Sequence, residues 1–356
     1  MVLVDFNHLA MRVLFTSIQL AKPKKVKGKY ITDDFKNIFV HQIINNIQYF
    51  IKDFREFGEV VICLEGSSWR KDFYSLYKAN RSSYREDSGI NFEEVYSILN
   101  EISDSLKSYF GIKVMSYSKA EGDDIIAVLS KISSENKKKT VIISSDKDFK
   151  QLLRYPFVSI YDPLKREYRA RPNSIEEIDA ELDEHIIKGD AIDNIPSIVD
   201  ETEFSNEFIE YLKNNNVFVS KPEEFFKLEV SKKLLEDYDI YEIYKSGKNK
   251  GKKKESKNIY KSITKTKKTL DKIKEELNNE DSIYSRNYKR NKTLIDLGSI
   301  PEDIQEGILE TYRETKIQKP NLTKIMEFCA KYSLKQVMAN QSVFLLNKQE
   351  ELTEDW

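Results

Sequence analysis

The sequence predicts an α/β fold in which helices flank a mostly parallel, twisted central sheet, followed by a helical C-terminal region. Two observations predict this fold class. In the first half of the chain, short runs of β-branched residues alternate with stretches whose apolar residues recur with a period of about 3.6. After Pro172 the β-branched runs fade and the helical spacing continues. Strands that alternate with helices favour parallel pairing, because each helix returns the chain to the start of the next strand.

The predicted elements follow the chain in order. Strands are expected at residues 2–4, 60–64, 112–115, 141–143 and 158–160. Helices are expected around the apolar repeats at 35–54, 92–106, 125–132, 175–186, 304–312 and 322–329. We therefore expect an α/β domain over residues 1–188 and a helical region over 189–356, which carries a lysine-rich insertion at about 245–275.

The composition is that of a folded, soluble protein. Hydrophobic residues make up 40% of the 356 residues, enough to bury a core although 33% are charged. No apolar run approaches the roughly 20 residues of a spanning helix and no basic signal segment opens the chain, so we expect a cytoplasmic protein without a membrane partner. Cys63 and Cys329 lie far apart in apolar stretches, which indicates buried thiols and argues against a zinc-thiolate site. With three histidines, any metal should be bound by oxygen ligands.

The balanced total charge hides a strong segregation. The chain has 58 Lys and Arg against 59 Asp and Glu. Residues 245–274 contain 13 lysines and two acids, a net charge of +11, whereas residues 174–210 contain 13 acids and one base, a net charge of −12. The first segment should attract a polyanion and the second should repel one. Residues 247–256 lack apolar residues and are expected to form a solvated loop or a disordered insertion.

Acidic residues follow the predicted strands near the points where the strands end. They are Asp5, Glu65, Glu121, Asp123, Asp146 and Asp148, joined by Asp190 and Asp193 in a later segment. Because the carboxyl ends of parallel strands meet at one edge of a sheet, these carboxylates are expected to converge. Two carboxylates ~4 Å apart repel by about 1 to 4 kcal/mol, so a cluster of them indicates bound divalent cations. Two Mg²⁺ ions, for which Mn²⁺ can substitute, would neutralise the cluster and hold a phosphodiester for attack by water.

Each acid also has an ordinary structural explanation. Asp146 lies in a helix-capping sequence, and Glu121 and Asp123 suit the positive end of a helix dipole. Asp190 and Asp193 lie in a segment typical of turns. The metal hypothesis depends on the whole set being brought to one edge.

Cations alternate with aromatic rings between residues 69 and 85. The residues that would share one face of a helix, or adjoin that face, are Arg70, Lys71, Tyr74, Lys78, Arg81 and Arg85. Such a face suits contact with phosphates and stacking on bases of a nucleic acid. The alternative is a solvated basic face whose aromatic residues lie in the core. Beside an acidic edge, the segment indicates cleavage of nucleic acid.

Five motifs in this order resemble the flap endonuclease and 5′-3′ exonuclease family and, within it, the ribonuclease H branch of T-even bacteriophages. They are Val4-Asp5-Phe6-Asn7, the segment 69–81, Glu121-Gly122-Asp123-Asp124, Ser144-Ser145-Asp146-Lys147-Asp148-Phe149 and Gly189-Asp190-Ala191-Ile192-Asp193-Asn194. Segments within 284–304 resemble the C-terminal helical region of that branch. The resemblance covers most of residues 1–200 and 284–346.

The resemblance implies a PIN-like 5′-nuclease fold and Mg²⁺-dependent hydrolysis of RNA primers and DNA 5′ flaps on duplex DNA during replication. The ligands implied for one metal are Asp5, Glu65, Glu121, Asp123 and Asp146, and those for a second are Asp148, Asp190 and Asp193. Lys78 and Arg81 would face the scissile phosphate beneath a bridge at about 67–92. A single-strand-binding protein or a sliding clamp is a candidate partner. The enzyme would be a monomer in the cytoplasm, that of the host cell if a phage encodes it.

Three departures from the family pattern are visible. Glu65 stands where the family has Asp, and Gly122 replaces Ala. Residues 195–208 are acidic where the family has a Gly-rich, basic hairpin. Our hypothesis is that the lysine-rich insertion contacts the duplex backbone instead, through Lys252, Lys253, Lys254 and their neighbours. The alternative is an insertion that only improves solubility.

Two other functions are consistent with parts of the pattern. A non-catalytic nucleic-acid-binding scaffold would keep the fold with a degraded metal site, of which Glu65 would be the first sign. A phosphatase with an aspartyl nucleophile at Asp5 would need a second acid two residues later, where the sequence has Asn7. Activity that depends on a divalent metal separates the nuclease from the scaffold.

Overall fold

The computed structural model describes residues 1–21, 33–79, 81, 88–198, 201–204, 206–219, 228–230, 234, 241–243, 253–255, 260–263, 277–279 and 282–347. The chain divides into two units, which do not follow one another along the sequence. The sheet unit consists of Met1–Ser68, Arg85–Glu181 and Leu297–Trp356, and the second unit consists of Trp69–Tyr84 and Leu182–Asp296. The sequence instead predicts a single boundary, between residues 188 and 189.

One six-stranded sheet organises the sheet unit. Its strands are β1 (Val2–Asp5), β2 (Val60–Cys63), β3 (Lys113–Met115), β4 (Thr140–Ile143), β5 (Val158–Asp162) and β6 (Glu167–Tyr168). The spatial order is β3-β2-β1-β4-β5-β6, with β1 to β5 parallel and β6 antiparallel to β5. All five predicted strands are confirmed. The sequence does not predict β6, because both of its residues are exposed and it lacks an apolar run.

The predicted helices are also confirmed within a few residues of their bounds. In chain order the helices are α1 (Phe6–Ala21), α2 (Asp33–Asp53), α3 (Arg70–Phe73), α4 (Phe92–Ser108), α5 (Gly122–Glu135), α6 (Ile175–Lys188), α7 (Asn206–Asn214), α8 (Ile283–Ile295), α9 (Glu302–Glu314), α10 (Leu322–Lys331) and α11 (Lys335–Ala339). Short 3₁₀ helices lie at Arg55–Phe57, Asp148–Arg154, Leu297–Ser299 and Gln341–Leu346. None of the helices in the described ranges has the length and apolar character needed to cross a membrane.

The C-terminal helices belong to the sheet unit because they complete its core. The ring of Phe110 meets those of Phe328 on α10 and Phe344 edge-on, with centroids 5.4 and 4.6 Å apart. Phe110 and Phe344 are fully buried. Burial of a large apolar side chain contributes about 1.5 to 3 kcal/mol, so removing these helices would expose a substantial part of the core. The helical period shows which side chains are buried but not what they pack against.

The amino edge of the sheet holds a buried charged group that the chain itself neutralises. Glu59, just before β2, has no exposed surface, and its carboxylate lies 3.8 Å from the Lys113 ammonium at the start of β3. Tyr312 of α9 donates its hydroxyl hydrogen to Glu59, and its ring lies 3.7 Å from the Lys113 nitrogen. These three side chains tie α9 to the sheet.

The second unit is built from α3, the turns that follow it, the 190–198 segment, α7, α8 and two short ladders. The ladders are β7 (Glu201–Phe204) with β10 (Tyr260–Ile263), and β8 (Tyr241–Ile243) with β9 (Lys253–Glu255), both antiparallel. The sequence does not predict them, because they are short and polar. The predicted loop at 247–256 is therefore wrong at 253–255, which form β9, and its other residues lie outside the described ranges.

The prediction of one helix across residues 70–85 is wrong. α3 ends at Phe73, Tyr74 is extended with φ −141°, and Lys78 adopts a left-handed conformation with φ 57°. The reason lies in packing, because Tyr74, Leu76 and Tyr77 are buried in the core of the second unit together with Phe208. Three buried residues so close together do not share one helical face, so the chain leaves the helix to bury them.

Candidate active site

The carboxyl ends of β1 and β4 bring together two of the predicted metal ligands. Asp5 is the last residue of β1, and Asp146 follows β4, its parallel neighbour. The Asp5 carboxylate accepts hydrogen bonds from the His8 backbone N–H at 3.1 Å and the Ser144 hydroxyl at 2.9 Å. Only 7% of Asp5 is exposed. Burial raises the pKa of its carboxyl, the charge of Asp146 acts in the same direction, and His8 and Ser144 act against both.

Asp146 lies two residues before the 3₁₀ helix, which begins at Asp148. Its backbone N–H donates to the Ser144 hydroxyl oxygen at 3.0 Å, and its carboxylate accepts the Asp148 N–H at 2.9 Å. The N-cap of this 3₁₀ helix is Lys147 and carries no side-chain cap, so the capping role expected of Asp146 is wrong, although its placement at the sheet edge is as expected. A side chain held this way has a fixed direction, which a ligand requires.

Three further predicted ligands lie around the end of β2. Glu65 is exposed two residues beyond β2, and its carboxylate accepts the Gly122 N–H at 3.2 Å. Glu121 precedes α5, is 4% exposed, and donates its backbone N–H to Asp124 at 3.0 Å. Asp123 lies in the first turn of the same helix.

Cys63 shows that acids from two sides surround the end of β2. Burial raises the pKa of this thiol well above its ordinary value, and the charges of Asp5 and Asp123 raise it further. The burial of Cys63 and the two neighbouring acids therefore both disfavour its thiolate form in the protein alone.

Within the described ranges, no three carboxylate, imidazole or thiol groups already share a point where a metal ion would sit. The donor chemistry fits a hard divalent cation, because the groups at this edge are carboxylates. The surroundings of Asp5 fit as well. It is buried beside Asp146, and no lysine or arginine of the described chain pairs with either of them.

Asp190 and Asp193 belong to the second unit, where each has a different environment. The Asp190 carboxylate accepts the backbone N–H groups of Ile192 at 2.8 Å and Asp193 at 3.3 Å, and lies 3.2 Å from His185 Nε2. This is the turn chemistry expected of the segment. The Asp193 carboxylate instead faces cations: it lies 2.7 Å from an Arg81 nitrogen and 3.7 Å from the Lys78 nitrogen.

The other basic residues of the 69–85 segment have different environments. Arg70 is only 2% exposed, because its guanidinium packs 4.6 Å from the Trp69 ring and donates to the Leu294 carbonyl at 2.9 Å. Tyr74 is 4% exposed. Neither side chain is therefore presented to a nucleic acid, contrary to the prediction, and burial of the apolar residues of this segment is the cause. Lys71 is exposed, as a nucleic-acid contact requires.

Four predicted nucleic-acid contacts lie wholly or partly outside the described residues. Arg85 and Lys252 lie outside the described ranges. The backbones of Lys253 and Lys254 lie in β9, and their side chains are not described.

Two polar residues at the site were not predicted. Ser144 links Asp5 to the Asp146 backbone, and its position directly after β4 is the sequence signal that could have identified it. Asp162 ends β5 and accepts hydrogen bonds from the Ser145 hydroxyl and the Leu164 N–H, both at 2.9 Å. Burial acts to raise the pKa of Asp162, but these hydrogen bonds and the charge of Arg169 hold it below its ordinary value.

The family model for the 5′-3′ exonuclease N-terminal resolvase-like domain matches residues 1–181, and the model for the T4 RNase H C-terminal domain matches residues 237–344. Ribonuclease H of Enterobacteria phage T4 is 28% identical over 337 residues, which span 93% of this chain and 92% of that protein. DNA polymerase I of Rhizobium leguminosarum is 31% identical over 143 residues, but they span only 13% of the polymerase.

A solved structure agrees on the fold. The T5 D15 protein co-crystallised with metal ions superimposes with a TM-score of 0.50 at 16% identity, covering 88% of this chain and 99% of that one. At this identity the likeness concerns the fold alone. The family model spans just over half of the chain, and the chain belongs to the 5′-3′ exonuclease family. The family resemblance read from the sequence and the predicted fold class are thereby confirmed.

Proposed function

We propose that this member of the 5′-3′ exonuclease family is a nuclease that uses two Mg²⁺ ions, for which Mn²⁺ can substitute, to hydrolyse RNA primers and DNA 5′ flaps on duplex DNA during replication. The protein that resembles it along most of its length is named a ribonuclease H, and other relatives are named 5′-3′ exonuclease and flap endonuclease. The observation that carries the proposal is Asp5, a carboxylate buried beside Asp146 at the carboxyl edge of the family domain.

The residues proposed to hold the metals are those placed at the strand ends and in the 190–193 turn. For one metal they are Asp5, Glu65, Glu121, Asp123 and Asp146, and for the other they are Asp148, Asp190 and Asp193. When bound, the two ions would lower the pKa of a water molecule and offset the charge of the leaving oxygen. The T5 5′-exonuclease has been solved with zinc bound, which supports a divalent metal in the family without identifying the ion used here.

The cations of the chain are proposed to hold the substrate. Lys78 and Arg81 would bind the phosphate next to the cut, because their charges are close enough to share one anion at Asp193. Lys71 would contact the strand from its exposed position, and the lysine-rich insertion, including Lys252, Lys253 and Lys254, would contact duplex backbone. Ser144 would keep Asp5 and Asp146 in their relative positions through hydrogen bonds to both. We further propose a monomer that acts in the cytoplasm, recruited by a single-strand-binding protein or a sliding clamp.

The test is cleavage mapping on end-labelled flap, nicked and RNA-primed duplexes with Mg²⁺. Products released from the 5′ end, absent in chelator, are expected. Asp146→Asn should reduce them by a factor on the order of 10² to 10³, while the variant Asp104→Asn, which changes an exposed acid on α4, should cut at the wild-type rate. Binding without cleavage in Mg²⁺ and in Mn²⁺ would favour the non-catalytic scaffold instead.

A further inference from the structure

Asp193 lies in a pocket of groups that bind anions. One carboxylate oxygen lies 2.7 Å from Arg81 Nη2, and the other lies 3.7 Å from Lys78 Nζ and accepts the Tyr77 hydroxyl at 3.3 Å. The Lys78 nitrogen also lies 4.9 Å from the centre of the Tyr77 ring. Two cations and a hydroxyl directed at one carboxylate also match the donor arrangement that binds a phosphate group.

The backbone holds this arrangement in place. The Lys78 N–H donates to the Asp193 carbonyl at 2.9 Å, and the Asn194 side-chain amide donates to the Leu76 carbonyl at 2.9 Å. Lys78 and Asn194 both have left-handed backbones, with φ of 57° and 59°. For Lys78 this conformation is uncommon and strained, so the contact between the two loops is specific and is maintained by several interactions at once.

The environment of Lys78 requires an anion. Its side chain is 9% exposed, whereas the Arg81 side chain is 41% exposed. A largely buried ammonium without an opposite charge is strongly unfavourable, so an anion must remain close to it. The Asp193 carboxylate, 3.7 Å away, is an anion that lies this close in the described part of the chain.

We propose that Asp193 is an internal substitute for the substrate phosphate: it occupies the Lys78–Arg81 pocket before substrate arrives and has to leave before a phosphate can enter. The inference rests on the proposed function, in which Lys78 and Arg81 bind phosphate and Asp193 binds metal. Together the two assignments give Asp193 two alternative partners. If Asp193 bound a metal, Lys78 and Arg81 would become available to a phosphate, so metal binding and phosphate binding would strengthen one another.

The experiment measures binding of a 5′-flap duplex in chelator, where no cleavage occurs. Asp193→Asn removes the competing charge, and its affinity should exceed that of wild type by roughly five- to tenfold, the amount expected for release of a half-buried ion pair. The slope of log affinity against log salt should steepen by about one to two, because two more cations reach phosphate.

The matched control is Asp190→Asn, which removes the same charge from the same turn. Its carboxylate is held by backbone N–H groups that the Asn oxygen can still accept. Its affinity should rise by less than about twofold, the effect of reduced long-range repulsion alone. Equal gains for Asp193→Asn and Asp190→Asn would overturn the proposal.

A double-mutant cycle locates the effect. In chelator, Arg81→Gln alone should change affinity for the flap duplex by less than about twofold, because Asp193 already pairs with Arg81. In the Asp193→Asn background, Arg81→Gln should remove most of the affinity gained by Asp193→Asn. A gain that persists without Arg81 would also overturn the proposal. If Asp193→Asn fails to fold, the Arg81→Gln result still decides, because a large loss of affinity in the wild-type background contradicts prior occupation.

Failure of this inference can be distinguished from failure of the proposed function. With Mg²⁺, Arg81→Gln should slow flap cleavage whether or not Asp193 competes for the pocket. Unchanged cleavage by Arg81→Gln would refute the phosphate role of Arg81 itself. Slowed cleavage together with no gain for Asp193→Asn in chelator would refute only the competition.

Discussion

The two edges of the sheet both bury carboxylates, and they treat them in opposite ways. At the amino edge, Glu59 is paired with Lys113 and accepts a hydrogen bond from Tyr312. At the carboxyl edge, Asp5 is buried beside Asp146, and no lysine or arginine of the described residues pairs with them. A protein gains no stability from a buried charge it leaves unneutralised. The difference indicates that Glu59 has a structural role, and it agrees with our proposal that the Asp5 edge binds a cation from outside the chain.

Removing the cation that pairs with Glu59 at the amino edge should have the largest effect on stability. Lys113→Met leaves Glu59 buried without its cation, and the free energy of unfolding should fall by about 3 to 5 kcal/mol. Urea denaturation measures this loss, with Lys107→Met, an exposed lysine on α4, as the control expected to stay within about 0.5 kcal/mol. A loss as small as that of the control would mean that the Glu59 pair is not structural.

Removing a charge from the carboxyl edge should lower cleavage activity but raise stability. Asp146→Asn should reduce cleavage by a factor on the order of 10² to 10³, as expected when a group that stabilises the transition state is removed. In chelator its melting temperature should rise above that of wild type, because the substitution relieves repulsion of Asp5. Asp123→Asn should behave in the same way. A lower melting temperature for both, measured by calorimetry in chelator, would contradict a cluster of like charges.

Asp162 lies at the carboxyl edge but resembles Glu59, because hydrogen bonds and the charge of Arg169 within the chain stabilise its carboxylate. Asp162→Asn should lower stability at pH 7 by about 1 to 3 kcal/mol through loss of charged hydrogen bonds. The folded state depresses the pKa of Asp162 below 3.8, so its contribution is present above pH 3.8 and is lost as the pH falls through the lower folded value. Denaturation from pH 7 to 3 should show the two proteins converging at the acidic end. A constant difference over that range would show that the charge of Asp162 is not what stabilises the fold.

Substitution of Gly122, near the carboxyl edge, should give the smallest effect on stability. A Cβ at Gly122 would lie 3.5 Å from the Cys63 carbonyl oxygen, an ordinary contact, and Gly122→Ala should stabilise by about 0.4 to 1 kcal/mol. At Gly66 a Cβ would lie 2.1 Å from the Tyr117 carbonyl oxygen, so Gly66→Ala should destabilise. Thermal unfolding of the pair tests whether Gly122 is a tolerated departure from the family's Ala. Destabilisation by Gly122→Ala would indicate that the glycine is required.

The sequence predicts the sheet edge better than it predicts the cation pocket. Asp5 and Asp146 are identified because one directly follows a short apolar run and the other comes three residues after the end of another, and parallel strands bring such ends together. The Lys78 pocket is not identified, because the period that suggests a helix does not reveal that Tyr74, Leu76 and Tyr77 are all buried. The left-handed Lys78 follows from that packing, and packing between distant segments leaves no local signal.

The central claim is that the carboxyl edge binds divalent cations for phosphodiester hydrolysis, and calorimetric titration with Mn²⁺ tests it most directly. Wild type should bind the metal, with about two ions per chain for a two-metal site. Asp162→Asn should titrate like wild type, and Asp146→Asn should lose at least one of the ions. Absence of binding to wild type, or equal binding by Asp146→Asn, would contradict the account.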